Sequence, residues 1–516
     1  MPVRQLPHNP SLEHLRHQAK ALRRAVRAGD PEALAQVQEH HPRLSGGPVN
    51  EVDAASFRLA DAQLVTARQY GFPSWPRLRQ HLDTIQRYSR SPHRTMESAP
   101  PESLAAQADE FLRLACLTYG GDSPARREQA RALLAAHPEI ATASIHTMAA
   151  LGEVAVAASL LARDSSLANR QGGPHQWEPL LYLAYSRVES GASTGAGERP
   201  ALVMARLLLA HGADPNAGYL WEGLTSPFTA LTGALGEGED GANQPPHLDG
   251  LNLARLLLAA GADPNDSQAL YNRQFRAGTE HLELLLSYGL GRGDGGPWHA
   301  RLGASHPTPS EMVQDQLLWA ARTNQPERVR LLLTHGAAVD GKGTGHPAFG
   351  GHTAYELAIL NGNAEIAALL HDAGANPGAL DPVQVFLGAC LRGDRAEVAS
   401  ILDAEPSLLQ AARTHEPHLM VRAVEIGRAA ALRLLVELGF DVNAMQRASA
   451  LHEAAWRGNL ELVQVLLDLG ADLTLRDHAF NATPEDWARH NQQHEVAAYL
   501  AERLAARGQP DDSDGS

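Results

Sequence analysis

The strongest constraint on the fold of this chain is an eleven-residue phrase that occurs twice. It reads RLLLAHGADPN from Arg206 to Asn216 and RLLLAAGADPN from Arg255 to Asn265. The leucines follow helical spacing, so one face of each helix must be buried. The glycine that follows tolerates the left-handed backbone that ends a helix, and Asp-Pro-Asn favours a turn. Each copy therefore predicts a helix, a stop and a tight turn.

Related helix ends recur along the chain, which makes the phrase part of an array. Leucine-rich helices are followed by Gly336, Gly374, Gly439 and Gly470. A second kind of helix precedes the leucine-rich helices. Its pattern is a large apolar residue, two variable residues and then a pair of small ones, as in LHEAAWRGN from Leu451. Small residues let neighbouring helices stack closely. Because one helical hairpin buries too little apolar surface to fold alone, the pattern predicts a solenoid of packed hairpins.

Two segments resemble the ankyrin repeat. One is ASALHEAAWRGNLELVQVLLDLGADLTLRD, from Ala448 to Asp477, and the other is HTAYELAILNGNAEIAALLHDAGANP. The Thr-Pro pair that opens the family's first helix is present as Thr483-Pro484. The resemblance implies an all-α, ankyrin-like helical solenoid of about ten helix pairs with short hairpin fingers. It also implies a non-enzymatic scaffold that binds a protein partner through its concave face.

A different helical pattern occupies the first part of the chain. Residues from Ser11 to Asp30 follow an amphipathic pattern with a basic outer face, and two short helices are predicted around Gly71 and Pro73. This part resembles the helical segment that precedes ankyrin repeats in many bacterial proteins. We therefore expect an N-terminal helical domain over 1–88, a Ser- and Pro-rich linker over 89–103, the ankyrin-repeat solenoid over 104–505 and a disordered acidic tail over 506–516.

The charge of the chain is divided unevenly along its length. Residues 1–100 hold 14 Lys and Arg against 9 Asp and Glu, whereas the remainder holds 30 against 50. The acidic array repels nucleic acid phosphates, so a nucleic acid partner is not expected and would have to use the N-terminal segment. Only Lys20 and Lys342 are lysines. This preference for arginine is typical of a GC-rich bacterial genome.

Cysteine content and hydropathy indicate a cytoplasmic protein. Cys116 and Cys390 are the only cysteines and lie in different apolar helical segments, so a reducing compartment is favoured over a disulfide framework. The N-terminus lacks the apolar core of a secretion signal, and no run of about 18 apolar residues suggests a membrane span. We expect a soluble monomer with no cofactor and no metal.

Aromatic residues in the long connections between helices are the candidate partner-binding residues. Trp177, Trp221 and Trp298 fall in such connections, and Tyr219 and Phe349 complete the candidate set. Exposed tryptophans are frequent anchors of protein interfaces. The alternative interpretation is that each ring fills a gap between repeats.

Three motifs suggest other chemistry, but each lacks the structural context that the chemistry needs. GASTG contains Ser193 in the Gly-x-Ser-x-Gly pattern of serine hydrolases, yet a helix precedes it where the motif requires a strand. GRGDGG, which begins at Gly291, matches a dinucleotide-binding pattern and also follows a helix. His490 and His494 are four residues apart without an evident third metal ligand. We therefore expect no catalytic or metal-binding residue.

A DNA-binding regulator is the remaining alternative, through a helix-turn-helix in AQLVTARQYGFPSWPRLRQHL. Arg77 and Arg79 would lie on the recognition helix of such a motif. Pro73 and Pro76 allow a helix to start but fit poorly within a full one. The segment is therefore predicted to pack as a cap rather than to bind DNA.

Overall fold

The computed structural model describes residues 6, 11–44, 56–94, 103–189, 199–378 and 380–507. Within them the chain forms twenty-eight α-helices, three short strands and five 3-10 helical turns. Four helices form a cluster at the N-terminus, and all later helices belong to a stacked array. The predicted all-α solenoid is confirmed. No helix in this part of the chain combines the length and the apolarity needed to cross a bilayer.

The N-terminal domain consists of four helices. They are α1 Leu12–Arg27, α2 Pro31–His40, α3 Leu59–Gln69 and α4 Trp75–Tyr88. The buried stripe of α1, which packs against α3, consists of Leu15, Ala19, Leu22 and Val26. The Ser74 side chain caps α4, and Pro76 is its second residue, where a helix needs no backbone donor. Pro76 lies at the start of α4, as the sequence allowed, but the expectation that it fits poorly in a full helix is wrong because α4 runs for 14 residues. Pro73 precedes the helix.

The array contains eleven helix pairs within the described residues. The first six are α5 Leu104–Ala115 with α6 Pro124–Ala136, α7 Ile145–Leu151 with α8 Val154–Arg163, α9 Pro179–Tyr185 with α10 Pro200–Ala210, α11 Ala230–Leu235 with α12 Gly250–Ala259, α13 Ser267–Arg273 with α14 Glu280–Ser287 and, after an extra helix α15 Gly296–Leu302, α16 Pro309–Arg322 with α17 Pro326–Thr334. The last five are α18 Ala354–Leu360 with α19 Ala364–Asp372, α20 Pro382–Arg392 with α21 Arg395–Ala404 and, after an extra helix α22 Ser407–His415, α23 Leu419–Glu425 with α24 Ala429–Glu437, α25 Ala450–Trp456 with α26 Leu460–Asp468 and α27 Pro484–His490 with α28 His494–Arg507. The 3-10 turns are Pro138–Thr142, Ser165–Asn169, Gly241–Asn243, Gly303–Ser305 and Pro347–Phe349. We call the first helix of each pair inner and the second outer.

The repeated phrase joins one helix pair to the next. In its first copy the Asp214 carboxylate accepts the backbone N–H of Asn216 at 2.9 Å and fixes the turn. The Asn216 side chain then donates to the Gly261 carbonyl at 2.9 Å and accepts the Asp263 N–H at 2.8 Å, both in the second copy. Asn265 makes the same pair of bonds to the turn that follows α14. The phrase recurs because its last residue binds the equivalent turn of the next pair.

Buried arginines stabilise the ends of several inner helices. Arg328 of α17 is 1% exposed and donates to the carbonyl of Arg273, the last residue of α13, and to those of Arg276 and Gly278 just after it. Arg187 follows α9 and donates to the carbonyls of Ala184, Gly233 and Pro245. These cations lie where the last helix carbonyls concentrate negative potential. Burial lowers the pKa of both guanidinium groups to about 10, so they remain charged at neutral pH.

The finger after α10 is a β-hairpin that also binds the N-terminal domain. Its strands β2 Gly218–Trp221 and β3 Pro227–Thr229 pair antiparallel, and β1 Ser89–Arg90 adds to β2 in parallel. Beyond β1, Arg94 forms an ion pair with Glu222 at 2.6 Å. A free strand edge offers unpaired backbone groups that a further strand can satisfy. Residues 89–94, expected to be linker, are therefore attached to the array.

The other expected boundaries lie mostly outside the described residues. Residues 95–102 of the expected linker and 508–516 of the expected acidic tail are among those that the structure does not describe. Residues 506–507, placed in that tail by the sequence, are the last two of α28. The division of the chain into an N-terminal domain, a linker, a solenoid and a tail stays a prediction.

Candidate interaction surface

Most aromatic side chains that were predicted to bind a partner are buried. Trp177 and Tyr219 are 1% and 2% exposed, and their rings stack with centroids 4.9 Å apart. Phe349 is 4% exposed. Their expected exposure is wrong because each ring belongs to the hydrophobic core of the array, where Trp177 packs on Tyr185 of α9 at 5.1 Å. Large rings contribute most when they fill such gaps, which was the alternative interpretation.

Trp221 and Trp298 join the two domains of the chain. Trp298 of α15 is 5% exposed and meets the ring of Tyr88, the last residue of α4, at 5.1 Å. Trp221 is half-buried; its Nε1 donates to the Thr118 carbonyl at 2.9 Å, and its ring stacks on His93 at 4.6 Å. Trp221 is thus the one predicted ring that keeps some exposed surface. Partner binding by the predicted set stays a prediction.

A different set of aromatic rings remains half-exposed on the inner helices. Tyr271 of α13 and the nearby Phe275 have ring centroids 5.3 Å apart, and Phe275 meets Trp319 of α16 at 5.5 Å. The Trp319 Nε1 donates to the Gln274 carbonyl at 3.0 Å, and the Arg322 guanidinium lies over the Trp319 ring. We call Tyr271, Phe275 and Trp319 the inner aromatic stripe. It crosses two adjacent helix pairs.

The sequence contains a signal for this stripe within the inner helices rather than in the connections between helices. In LLWAARTNQ, Trp319 is the second of the two variable residues between the large apolar residue and the small pair. Variable positions are not needed for stacking inner helices, so a large aromatic there indicates a ring with another use. The variable position of an aromatic residue in the inner-helix pattern therefore indicates this surface better than its presence in a loop does.

A loop between α11 and α12 reaches the last helix pair. We call residues 239–243 the clasp. The Asp240 carboxylate pairs with the His490 ring at 2.8 Å, and the Asn243 side chain donates to the His490 carbonyl at 3.0 Å. A backbone N–H of the clasp also donates to the Asn491 side chain at 3.0 Å. The array therefore curves until its last pair meets its fourth.

The clasp brings acidic groups beside aromatic rings at both ends of this curve. Glu239 accepts a hydrogen bond from the hydroxyl of Tyr271, and burial together with this carboxylate raises the pKa of the tyrosine. His490 stacks on Trp456 of α25, and its hydrogen bond to Asp240 raises the pKa of the imidazole. Aromatic rings of the fifth and the last pairs thus meet at one acidic loop.

A buried polar cluster near the same loop is satisfied by an arginine. Glu189, His247 and Asp249 have potential ligand atoms within 4.8 Å of one another. Arg199 pairs with Asp249 at 2.9 Å and with Glu189 at 3.1 Å. The His247 Nδ1 accepts the Asp249 N–H, which places its ring proton on Nε2, and burial lowers its pKa to about 3. The Arg199 guanidinium pairs with both carboxylates and offsets one of their two negative charges, so these groups form an ion-pair network.

The motifs that suggested other chemistry gain no support from their surroundings. Ser193 lies outside the described residues. GRGDGG connects α14 to α15, so helices flank it where a dinucleotide site needs a strand before it. His490, one of the two spaced histidines, is engaged with Asp240. Arg77 and Arg79 are exposed on α4, whose last turn packs against α15 through Ile85 and Tyr88.

Comparison with known proteins adds an independent finding about the array. Residues 386–477 match the family model for ankyrin repeats in three copies. A protein of Mus musculus described as B-cell lymphoma 3 protein homolog is 31% identical over 218 residues, which cover 40% of this chain and 46% of that protein. The chain thus spans less than half the length of this relative. The matched segment runs from the inner helix α20 to the finger after α26, and this part of the chain consists of ankyrin repeats.

Proposed function

We propose that the chain is a non-enzymatic scaffold that binds a protein partner on the face of its inner helices, at the inner aromatic stripe. One observation carries the proposal: these rings stay half-exposed, whereas Trp177, Tyr219 and Phe349 are buried. Aromatic and arginine side chains dominate the binding energy of protein interfaces, and Arg322 lies against Trp319 here. Ankyrin repeats generally serve as protein interaction modules.

The charge around the stripe favours a partner with a basic surface. The clasp contributes Glu239 and Asp240 at the edge of the stripe, and the array as a whole is acidic. Glu425 of α23 pairs with Arg322 at 3.7 Å and offsets the positive charge beside the Trp319 ring. Complementary charge accelerates association and excludes wrong partners more than it adds affinity. We therefore propose a basic protein segment as the partner.

We also propose that the protein acts as a monomer in a reducing bacterial cytoplasm. Cys116 and Cys390 are buried and unpaired, and burial raises the pKa of each thiol to about 12. A protonated, buried thiol resists oxidation and exchange. The preference for arginine over lysine and the character of the N-terminal segment support a bacterial source.

Affinity capture with the full chain tests the proposed surface. Phe275→Ala together with Trp319→Ala should lose the proteins that the wild type retains, because the aromatic anchors are gone. Tyr288→Ala is the matched control, since this ring is 39% exposed at the end of the outer helix α14. Thermal melts establish that each variant is folded. If the double variant and the control retain the same proteins in equal amounts, the inner aromatic stripe is not the binding site.

A further inference from the structure

The outward face of α1 is a continuous basic stripe. His14, His17, Lys20, Arg24 and Arg27 are exposed and follow one another at intervals of three or four residues. At a rise of 1.5 Å per residue, the stripe extends for about 20 Å along the helix. Together with Arg23 and the first residue of α3, these residues line an open groove of about 830 Å³. We call this surface the basic groove.

The cations of the basic groove have no acidic partner within the described part of the chain. Lys20, Arg23, Arg24 and Arg27 are all more than 4 Å from any carboxylate there. Exposed arginines of the array behave differently: Arg330 pairs with glutamates of its own and of the next repeat.

Unpaired like charges one turn apart weaken a helix. Lys20 and Arg24 are four residues apart, as are Arg23 and Arg27. Like-charge pairs at this spacing destabilise a helix by about 0.2–0.5 kcal/mol each. The C-terminus of α1 favours Arg24 and Arg27 in its last turn, but no carboxylate of the described residues offsets the repulsion. An anion from outside the chain would relieve it.

The lining of the groove restricts the chemistry of that anion. The apolar face of α1 is buried in the domain core, so the helix has no apolar face left to insert into a membrane. No Phe, Tyr or Trp lines the groove, although single-stranded nucleic acid is bound by stacking mainly on such rings. Protein interfaces have an apolar centre, and here only Ala21 and Leu59 are apolar.

We propose that the basic groove binds the phosphate backbone of double-stranded nucleic acid without reading its base sequence. A straight row of cations along a helix suits a regularly spaced row of phosphates, and arginine and lysine are the usual phosphate contacts. The acidic array repels the duplex, which leaves the N-terminal domain and, within it, the unpaired cations of α1 to bind it. This activity is separate from partner binding at the inner aromatic stripe.

Fluorescence anisotropy with the full chain and a labelled duplex of arbitrary sequence, about 20 base pairs long, tests the proposal. The logarithm of the association constant should fall with the logarithm of salt concentration with a slope of about −3 to −5, one unit for each neutralised phosphate. Lys20→Gln, Arg24→Gln and Arg27→Gln combined should weaken binding at least about tenfold and reduce the slope by about three. Glutamine keeps helix propensity, and circular dichroism establishes that α1 still folds.

The matched control is Arg77→Gln with Arg79→Gln, which removes two exposed cations from α4 in the same domain. Binding should survive this change, and its loss would instead assign the duplex to α4. Polyglutamate and vesicles of anionic phospholipid serve as competing probes. Displacement of the duplex by either at equal charge concentration, or no binding at low salt, overturns the proposal.

Discussion

At the residue scale, buried charge in this protein is used to complete helix ends. Arg328 is 1% exposed, yet its donors reach the carbonyls at the end of α13 and just after it at 2.5–3.0 Å. The last carbonyls of a helix have no partner within the helix. Arg328, on the outer helix α17 of the sixth pair, supplies the missing donors to the inner helix α13 of the fifth pair. These bonds hold the two pairs together. Such a residue resembles a surface charge in the sequence and functions as a core residue in the fold.

Replacing Arg328 by Met should lower the free energy of unfolding by about 3 kcal/mol, because several buried carbonyls lose their donor at once. The measurement is urea denaturation followed by circular dichroism, with hydrogen exchange of the α13 amides to locate the effect. Arg330→Met, two residues away on the exposed face, is the control and should change stability by about 1 kcal/mol or less. Equal effects of the two variants would show that burial of Arg328 contributes nothing.

At the scale of the element, the unit of this protein is the helix pair together with the turn that binds the next pair. Asn216 makes two hydrogen bonds to the following turn, and Asn169 and Asn443 make equivalent bonds elsewhere. A helix pair alone leaves one apolar side exposed, so contacts between neighbours decide its stability. The Asp-Pro-Asn ending adds directional bonds to a contact that is otherwise apolar.

Asn216→Ala should destabilise the junction between the third and fourth pairs by about 1–2 kcal/mol, since one donor and one acceptor are lost. Native-state hydrogen exchange in α10 and α12 reports on this junction directly. Asn252→Ala, an exposed asparagine on α12, controls for the loss of an amide and should lie within about 0.5 kcal/mol of wild type. Asn216→Asp keeps the acceptor and should show an intermediate effect.

At the scale of the whole molecule, the clasp closes the curve of the array. Gly241 lies against the Asn491 amide without room for a Cβ, and the clasp also accepts a hydrogen bond from Arg127 of α6 through the Asn243 carbonyl. Contacts among the first, fourth and last pairs thus fix the curvature. The closed shape keeps His490 and Tyr271 in contact with one loop.

The closure should depend on pH through His490. Its pKa in the folded chain is raised by the hydrogen bond to Asp240, so the stabilisation is complete below the ordinary value and is lost as pH rises through the raised one. Small-angle X-ray scattering should therefore show a larger maximum dimension at about pH 8 than at about pH 6. His490→Gln should abolish this difference, and Asn491→Ala should enlarge the molecule at both pH values. A pH-dependent expansion that persists in His490→Gln would assign it to another group.

Local features of the sequence were enough to predict the helices and their pairing. Gly212 and Gly261 have positive φ, as the stop signals require, and the leucines before each of them supply the buried face. The binding residues could not be predicted in the same way. Trp177 and Tyr219 belong to a connection and a finger, yet rings from other repeats cover them. Exposure of a ring depends on residues that are distant in the sequence.

Helical spacing, glycine stops and Asp-Pro-Asn turns act within a few residues, so the row of helix pairs follows from local patterns. Burial of the aromatic rings, the hydrogen bonds of Arg328 to α13 and the contact of Asp240 with His490 depend on how the pairs are arranged in space. That arrangement accumulates along the array. A small rotation at each of the eleven pairs sets where the last pair lies, and no single segment encodes that sum.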